Sequence, residues 1–187
     1  MPRRPWKCYR ELDTKAYVLK QKKTQKGRRM YIKGVPEPKI RIFTMGKKNP
    51  DFNHVIKLTA IEIGQISHLA LEAARIAANR YMRKVLTPAN YFMKILVYPF
   101  HVVREHKMMA FAGADRLQDG MRKAFGKPAG TAVRVEKPNK DIILIKVKKE
   151  NIRHAKIALK RSRMKLPLKA KVNVMTNEEY KEQGGVF

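Results

Sequence analysis

Cysteine is almost missing from this chain: Cys8 stands alone in 187 residues. That excludes an internal disulfide framework and a cysteine-rich zinc site, and it fits a reducing compartment. Acidic residues are scarce too, with 15 Asp+Glu against 43 Lys+Arg. Long apolar runs are absent; none approaches the roughly 20 residues needed to cross a bilayer. The opening residues, Met1, Pro2, Arg3, Arg4, Pro5 and Trp6, are basic with no apolar stretch behind them, which does not fit a secretory signal. The cations do not lie opposite a continuous apolar face, so no membrane partner is expected.

What is present is positive charge. The formal net charge is +28, and self-repulsion on that scale opposes compaction unless something anionic neutralises it. The obvious polyanion is a nucleic acid. The basic residues run from Arg3 to Lys181, which predicts a protein with phosphates on several sides. A hydrophobic content of 44% is enough for a real core, and the length suits one domain with extensions.

The pattern predicts an α+β fold: a mostly antiparallel sheet with two main helices packed on it, plus a basic extended N-terminal segment. Residues 1–38 read as that segment, since Pro2 and Pro5 discourage a helix and the cation-rich run at 20–29 repels itself. Residues 39–176 read as the domain and 177–187 as a polar tail. Alternation over 39–43 predicts a strand and 46–50 a loop. A helix is expected over 60–84, with Thr59 and Glu62 in capping-box spacing and Ile63, Ile66, Ala70, Ala74, Ala77 and Tyr81 on one face. Arg75, Asn79 and Arg83 form a polar stripe, and Thr87-Pro88 ends the element. Strands are expected at 91–98 and 100–104, and a loop at 105–113. A short helix capped by Asp115 should follow and end at Gly126 and Pro128. Strands at 131–137 and 142–148 are joined by Pro138-Asn139-Lys140-Asp141 as a hairpin. Asn151 should cap a last helix with Ile152, Ala155 and Leu159 inward, stopped by Pro167, before a strand at 170–175.

No catalytic constellation stands out. Gly120 to Gly126 followed by Lys127 is one residue too long for a phosphate-binding loop, and Pro128 replaces the required Ser or Thr. His101 and His106 lack a third metal ligand and any His-Glu-x-x-His context. Asp115 and Asp119 lie one helical turn apart, but a cap and an ion pair with Arg122 or Lys123 account for them. Cys8 has cationic neighbours Lys7 and Arg10 but no nearby histidine. The chain is expected to be no enzyme and to need no cofactor or metal.

The nucleic-acid signal is denser. Arg3, Arg4, Lys7 and Arg10 are interleaved with Trp6 and Tyr9, so forked guanidinium groups and stacking rings occur together; the same rings would equally pin the extension to the domain. Lys22, Lys23, Lys26, Arg28 and Arg29 form a phosphate-neutralising arm. Arg116, Arg122, Lys123 and Lys127, with Arg104 and Lys107, surround small residues that let one backbone approach another. Met108-Met109 falls in a stretch without core periodicity.

At this segment the sequence becomes recognisable. His101-Val102-Val103-Arg104, Lys107-Met108-Met109, Ala112-Gly113-Ala114-Asp115-Arg116-Leu117-Gln118, Gly120-Met121-Arg122 and Ala124-Phe125-Gly126-Lys127-Pro128 closely resemble the large-subunit ribosomal protein family L-sixteen, in its archaeal and eukaryotic branch (L-ten-e). Arg3-Arg4-Pro5, Cys8-Tyr9-Arg10, Pro38-Lys39-Ile40-Arg41-Ile42 and Leu71-Glu72-Ala73-Ala74-Arg75-Ile76-Ala77-Ala78-Asn79 agree. The resemblance implies an α+β protein bound into 23S-type rRNA, near 5S rRNA and the tRNA cleft, beside other large-subunit proteins in the cytoplasm. It also implies a tRNA-proximal loop at about 103–113, carrying Arg104, His106, Lys107, Met108, Met109 and Gly113. The basic run at 20–29 is longer than the family's and the tail after Thr176 diverges, so implied contacts are not carried there. Two other classes stay open: a free RNA-modifying enzyme, which would turn over RNA, and an architectural DNA binder, which would prefer duplex DNA.

Overall fold

Four consecutive buried residues, Ile142 to Ile145, mark the middle of the largest layer, and such a run suits a strand covered on both faces. They belong to β7 (Lys140–Val147), the centre of a five-stranded antiparallel sheet. Its order is β1 (Thr44–Gly46), β4 (Tyr91–Ile95), β7, β2 (His54–Ala60) and β8 (Ala170–Thr176). A second, three-stranded antiparallel sheet runs β3 (Gly64–Ser67), β6 (Lys127–Val135), β5 (His101–Glu105). The computed structural model describes residues 9–12, 32, 34–48, 52–106 and 126–182.

Two main helices, α1 (His68–Val85) and α2 (Ile152–Arg163), pack together over one face of the large sheet. Small residues set their approach. Ala74 and Ala78 of α1, and Ala155 and Ala158 of α2, are fully buried. They share one core with Ile56, Leu58, Met93, Ile143 and Ile145 from the large sheet and with Ile66, Val133 and Val135 from the small one. The α+β architecture expected from the sequence is therefore present. Truncating a filled core position such as Leu71 to Ala costs about 2–5 kcal/mol in comparable cores.

Several local readings are corrected. The long helix does not begin at 60, because residues 54–60 form β2 and 64–67 form β3. The reason is visible in the burial: Ile56, Leu58 and Ala60 face the helices while Val55, Lys57 and Thr59 face the other way, a period of two. Thr59 caps nothing and instead donates its hydroxyl to Asp141. The N-cap of α1 is Ser67, whose Oγ accepts from the Ala70 amide at 3.0 Å. The buried stripe of α1 is Leu71, Ala74, Ala78 and Met82, turned from the expected one; Ile63 is exposed.

The edge strand lies at Thr44–Gly46, not at 39–43, and just before it the Phe43 carbonyl accepts from the Ile95 amide at 2.8 Å. Gly46 adopts φ +81, and a Cβ there would lie 2.1 Å from the Tyr91 carbonyl oxygen. Only glycine fits. The turn around Asn139, at φ 59, forms as expected, but it is no hairpin. β6 pairs with β3 and β5, whereas β7 pairs with β2 and β4. The turn passes the chain from one sheet to the other. Asn151 precedes α2 without making a side-chain cap bond. After β8 a short helix, α3 (Asn177–Glu182), buries Tyr180. The helix expected after Asp115 lies outside the described residues.

Candidate nucleic-acid interface

Strand β5 delivers the first group of cations. Arg104 lies opposite Pro128 and Glu105 opposite Lys127, with a register shift between Val103 and Arg104. His106 follows directly. Gly126, at φ +79, lies against this end of β5: a Cβ on it would stand 3.1–3.2 Å from the Glu105 carbonyl and the His106 amide nitrogen. The chain between residues 106 and 126 thus departs from and returns to adjoining points. Lys127, distant in sequence and exposed, is brought beside Arg104 and His106 at one end of the small sheet.

The second group occupies the face of the large sheet that α1 and α2 leave uncovered. Strand alternation puts Lys57 of β2, Lys94 of β4, Lys146 of β7 and Lys171 of β8 on it. The Lys57 ammonium lies 3.1 Å from the Asp141 carboxylate and 4.5 Å from the centre of the Tyr180 ring. The Lys146 ammonium lies 5.5 Å from the same ring, so two lysines share Tyr180, each drawn by the ring quadrupole. Burial, then the neighbouring Lys48, Lys181 and Lys94, pulls the Lys146 ammonium from 10.5 down to about 8. Burial, then Asp141, pushes the Tyr180 phenol up. An anion arriving on this face relieves lysine–lysine repulsion.

The third group covers the opposite side. Arg80, Arg83 and Lys84 of α1 and Arg153, Lys156, Lys160, Arg161 and Arg163 of α2 are exposed. The Arg161 guanidinium stacks 4.3 Å over Tyr81, and the Tyr81 hydroxyl lies 3.3 Å from His154 Nδ1. Not every cation points outward. Arg75 makes two bonds to the Glu72 carboxylate within α1 and donates to Met45 Sδ of β1 at 3.4 Å, and Asn79 accepts from the Tyr91 hydroxyl at 2.7 Å, so this part of the polar stripe fastens α1 to β1 and β4.

Arg10 is engaged with Glu62 through an ion pair, and its carbonyl accepts from the Gln65 amide at 2.8 Å. The Gln65 side chain donates to the Glu11 carbonyl at 2.7 Å. This part of the N-terminal segment is tied along β3. Lys169 also donates to Glu62 through backbone and side chain, and these donors with Arg10 hold the carboxyl below the usual range. Arg3, Arg4, Lys7, Lys22, Lys23, Lys26, Arg28, Arg29, Lys107, Met108, Met109, Gly113, Arg116, Arg122 and Lys123 lie outside the described residues. His101 is buried in β5, and no group of three His, Cys, Asp or Glu among the described residues could hold a metal ion. No described helix is long and apolar enough to cross a membrane.

The open-face lysines were missed from the sequence. Their one signal is a single lysine interrupting an otherwise apolar stretch, as in Val55-Ile56-Lys57-Leu58.

Cations on both sides of one antiparallel α+β layer, and again at the joined ends of β5 and β6, define a polyanion-binding structural protein. Comparison with known proteins makes the class specific. The family model described as ribosomal protein L16p/L10e matches residues 19–173, and the chain belongs to that family. It is 52% identical over 172 residues to the large ribosomal subunit protein uL16 of Staphylothermus marinus, covering 92% of this chain and 93% of that one. It is 48% identical to the same-named protein of Hyperthermus butylicus, covering 96% and 97%, and 49% identical to that of Saccharolobus solfataricus, covering 94% of each. A ribosomal protein family also settles the enzyme question: the role is structural.

Proposed function

We propose that the protein is a structural component of the large ribosomal subunit in the cytoplasm, that it binds 23S-type rRNA, and that the segment issuing from β5 helps to position tRNA. The observation that carries the RNA-binding part is the distribution of charge: cations are exposed on the helix layer and at the β5–β6 end, and on the opposite sheet face Lys171 is exposed and Lys94 half-buried while Lys57 and Lys146 are buried beside Tyr180, so a polyanion can neutralise the domain from more than one side. Contact with 5S rRNA and with neighbouring large-subunit proteins belongs to the same reading. The tRNA role rests on Gly126 and the Glu105–Lys127 pairing, which hold both ends of the intervening segment on rigid strands. A functional segment is positioned best from rigid elements.

Sedimentation of a cell lysate through a gradient at physiological salt tests the first part. The protein should co-migrate stoichiometrically with large subunits, monosomes and polysomes; a protein left at the top of the gradient refutes it. For the second part, subunits carrying a deletion of residues 107–112 should retain the protein but bind tRNA less well. Unaltered tRNA binding would remove the positioning role.

A further inference from the structure

Three aromatic rings climb from the core to solvent beside β4 and β5. Phe43 packs against the main core. Its ring centre lies 4.7 Å from that of Tyr98, at 37°, and Tyr98 lies 5.8 Å from Phe100, nearly parallel at 25°. Exposure rises outward, to 44% at Tyr98 and 76% at Phe100. The intervening Val97 and Pro99 are buried, so the backbone is seated and only the rings project. The Phe100 amide donates to the Tyr98 carbonyl at 3.0 Å. This three-residue turn centred on Pro99 holds the outer rings in register.

Leaving the face of a phenylalanine in water forfeits the gain from burying it. A rigid stack ending in an open ring has a specific use in a highly cationic protein. We propose that Phe100 is a stacking platform for one unpaired nucleobase of RNA, with Tyr98 and Phe43 as its fixed support. The proposal rests on the RNA-binding reading above and adds to it a site and a ligand class. Three observations select a base over a partner protein. The chain carries +28, so its neighbours are expected to be phosphates. The stack opens only the rings of Tyr98 and Phe100 to solvent, far below the roughly 800 Å² per partner of a stable protein interface. The supporting stack is already ordered, which lowers the entropic cost of capturing a flat ligand. Unpaired bases on aromatic side chains are a principal mode of RNA recognition. The extended backbone places Phe100 about 13 Å from Arg104 along β5, so a strand stacked there would continue over the cationic end of the small sheet.

The test uses the full chain with full-length 23S-type rRNA transcript, comparing wild type with Phe100→Ala, Phe100→Leu and Phe100→Trp across a salt series. Phe100 is exposed, so all three should fold, and circular dichroism checks this. Phe100→Ala and Phe100→Leu should each weaken binding about tenfold without changing the slope of affinity against salt. Phe100→Trp should bind as well as wild type or better. Full affinity in Phe100→Leu would show that an apolar contact suffices and overturn the stacking site. Unchanged affinity of Phe100→Ala for rRNA, combined with poor incorporation into subunits in cells, would make the ladder a protein contact and overturn it too. Failure of the wild type itself to bind rRNA would instead refute the reading beneath the proposal.

Discussion

The hydroxyl of Ser162 on α2 donates a hydrogen bond to the backbone carbonyl of Ala74 on α1 at 2.8 Å, and the serine is fully buried. A polar side chain is tolerated there because its one donor is satisfied by the neighbouring helix. With Ala74, Ala78, Ala155 and Ala158 around it, the bond fixes how close the helices come and how they are rotated. Ser162→Ala should lose about 1 kcal/mol, and Ser162→Leu about 1–3 kcal/mol through overpacking. Urea unfolding measures both. Equal stability of all three proteins would show that the crossing is not sterically specified.

Asp141 neutralises a lysine that is nearly out of solvent: the Lys57 side chain is 7% exposed and that of Asp141 29%. Removing only the acid leaves the ammonium buried beside Tyr180. Asp141→Ala should therefore cost about 3 kcal/mol, while Lys57→Met should cost less, because a well-packed apolar replacement of a buried charge is often tolerated. Thermal unfolding of the two variants should rank them in that order, and the reverse order would mean that Lys57 is not desolvated.

Lys146 makes stability depend on pH in an unusual direction. Its ammonium is pulled down to about 8 in the fold from 10.5, so between those values the unfolded chain binds more protons than the folded one. Stability then rises with pH across that window. The gain, about 1–3 kcal/mol, should be seen in chemical denaturation of the free protein and should vanish in Lys146→Met. Above about pH 10 the raised phenols of Tyr180 and Tyr91 act with the opposite sign. A free-protein profile that falls from pH 8 to 10, with Lys146→Met indistinguishable from wild type, would contradict the assignment.

Gly126 should resist substitution. Its φ of +79 disfavours any side chain, and a Cβ would press on Glu105 and His106. Gly126→Ala should cost about 1–3 kcal/mol. It should also slow hydrogen exchange less at β5–β6 than wild type does, with the largest loss of protection at Glu105 and Lys127. Uniform protection would show that the ends of β5 and β6 are not joined there.

Much of this protein was written in local sequence. The length and face of α2 follow from Ala155 and Leu159 at helical spacing, and β4, β5 and β8 from short apolar runs between turn residues. The turn at Asn139 and the end of α1 before Pro88 follow from backbone chemistry that needs no distant partner. The excess of cations over acids pointed to a polyanion before any element was placed. Tertiary structure decided what depends on which segments meet. Residues 54–67 carry apolar residues compatible with either period, and pairing with β7, β8 and β6 made them two strands. β6 and β7 adjoin in sequence yet join different sheets, because sheet pairing is settled by the competition of all available edges. Lys57, Lys94, Lys146 and Lys171 became one face only when strands from four parts of the chain were set side by side, and Phe43 met Tyr98 only across the fold. Sequence fixes each residue's chemistry and its local period; which groups share a surface is a long-range property that only packing can supply.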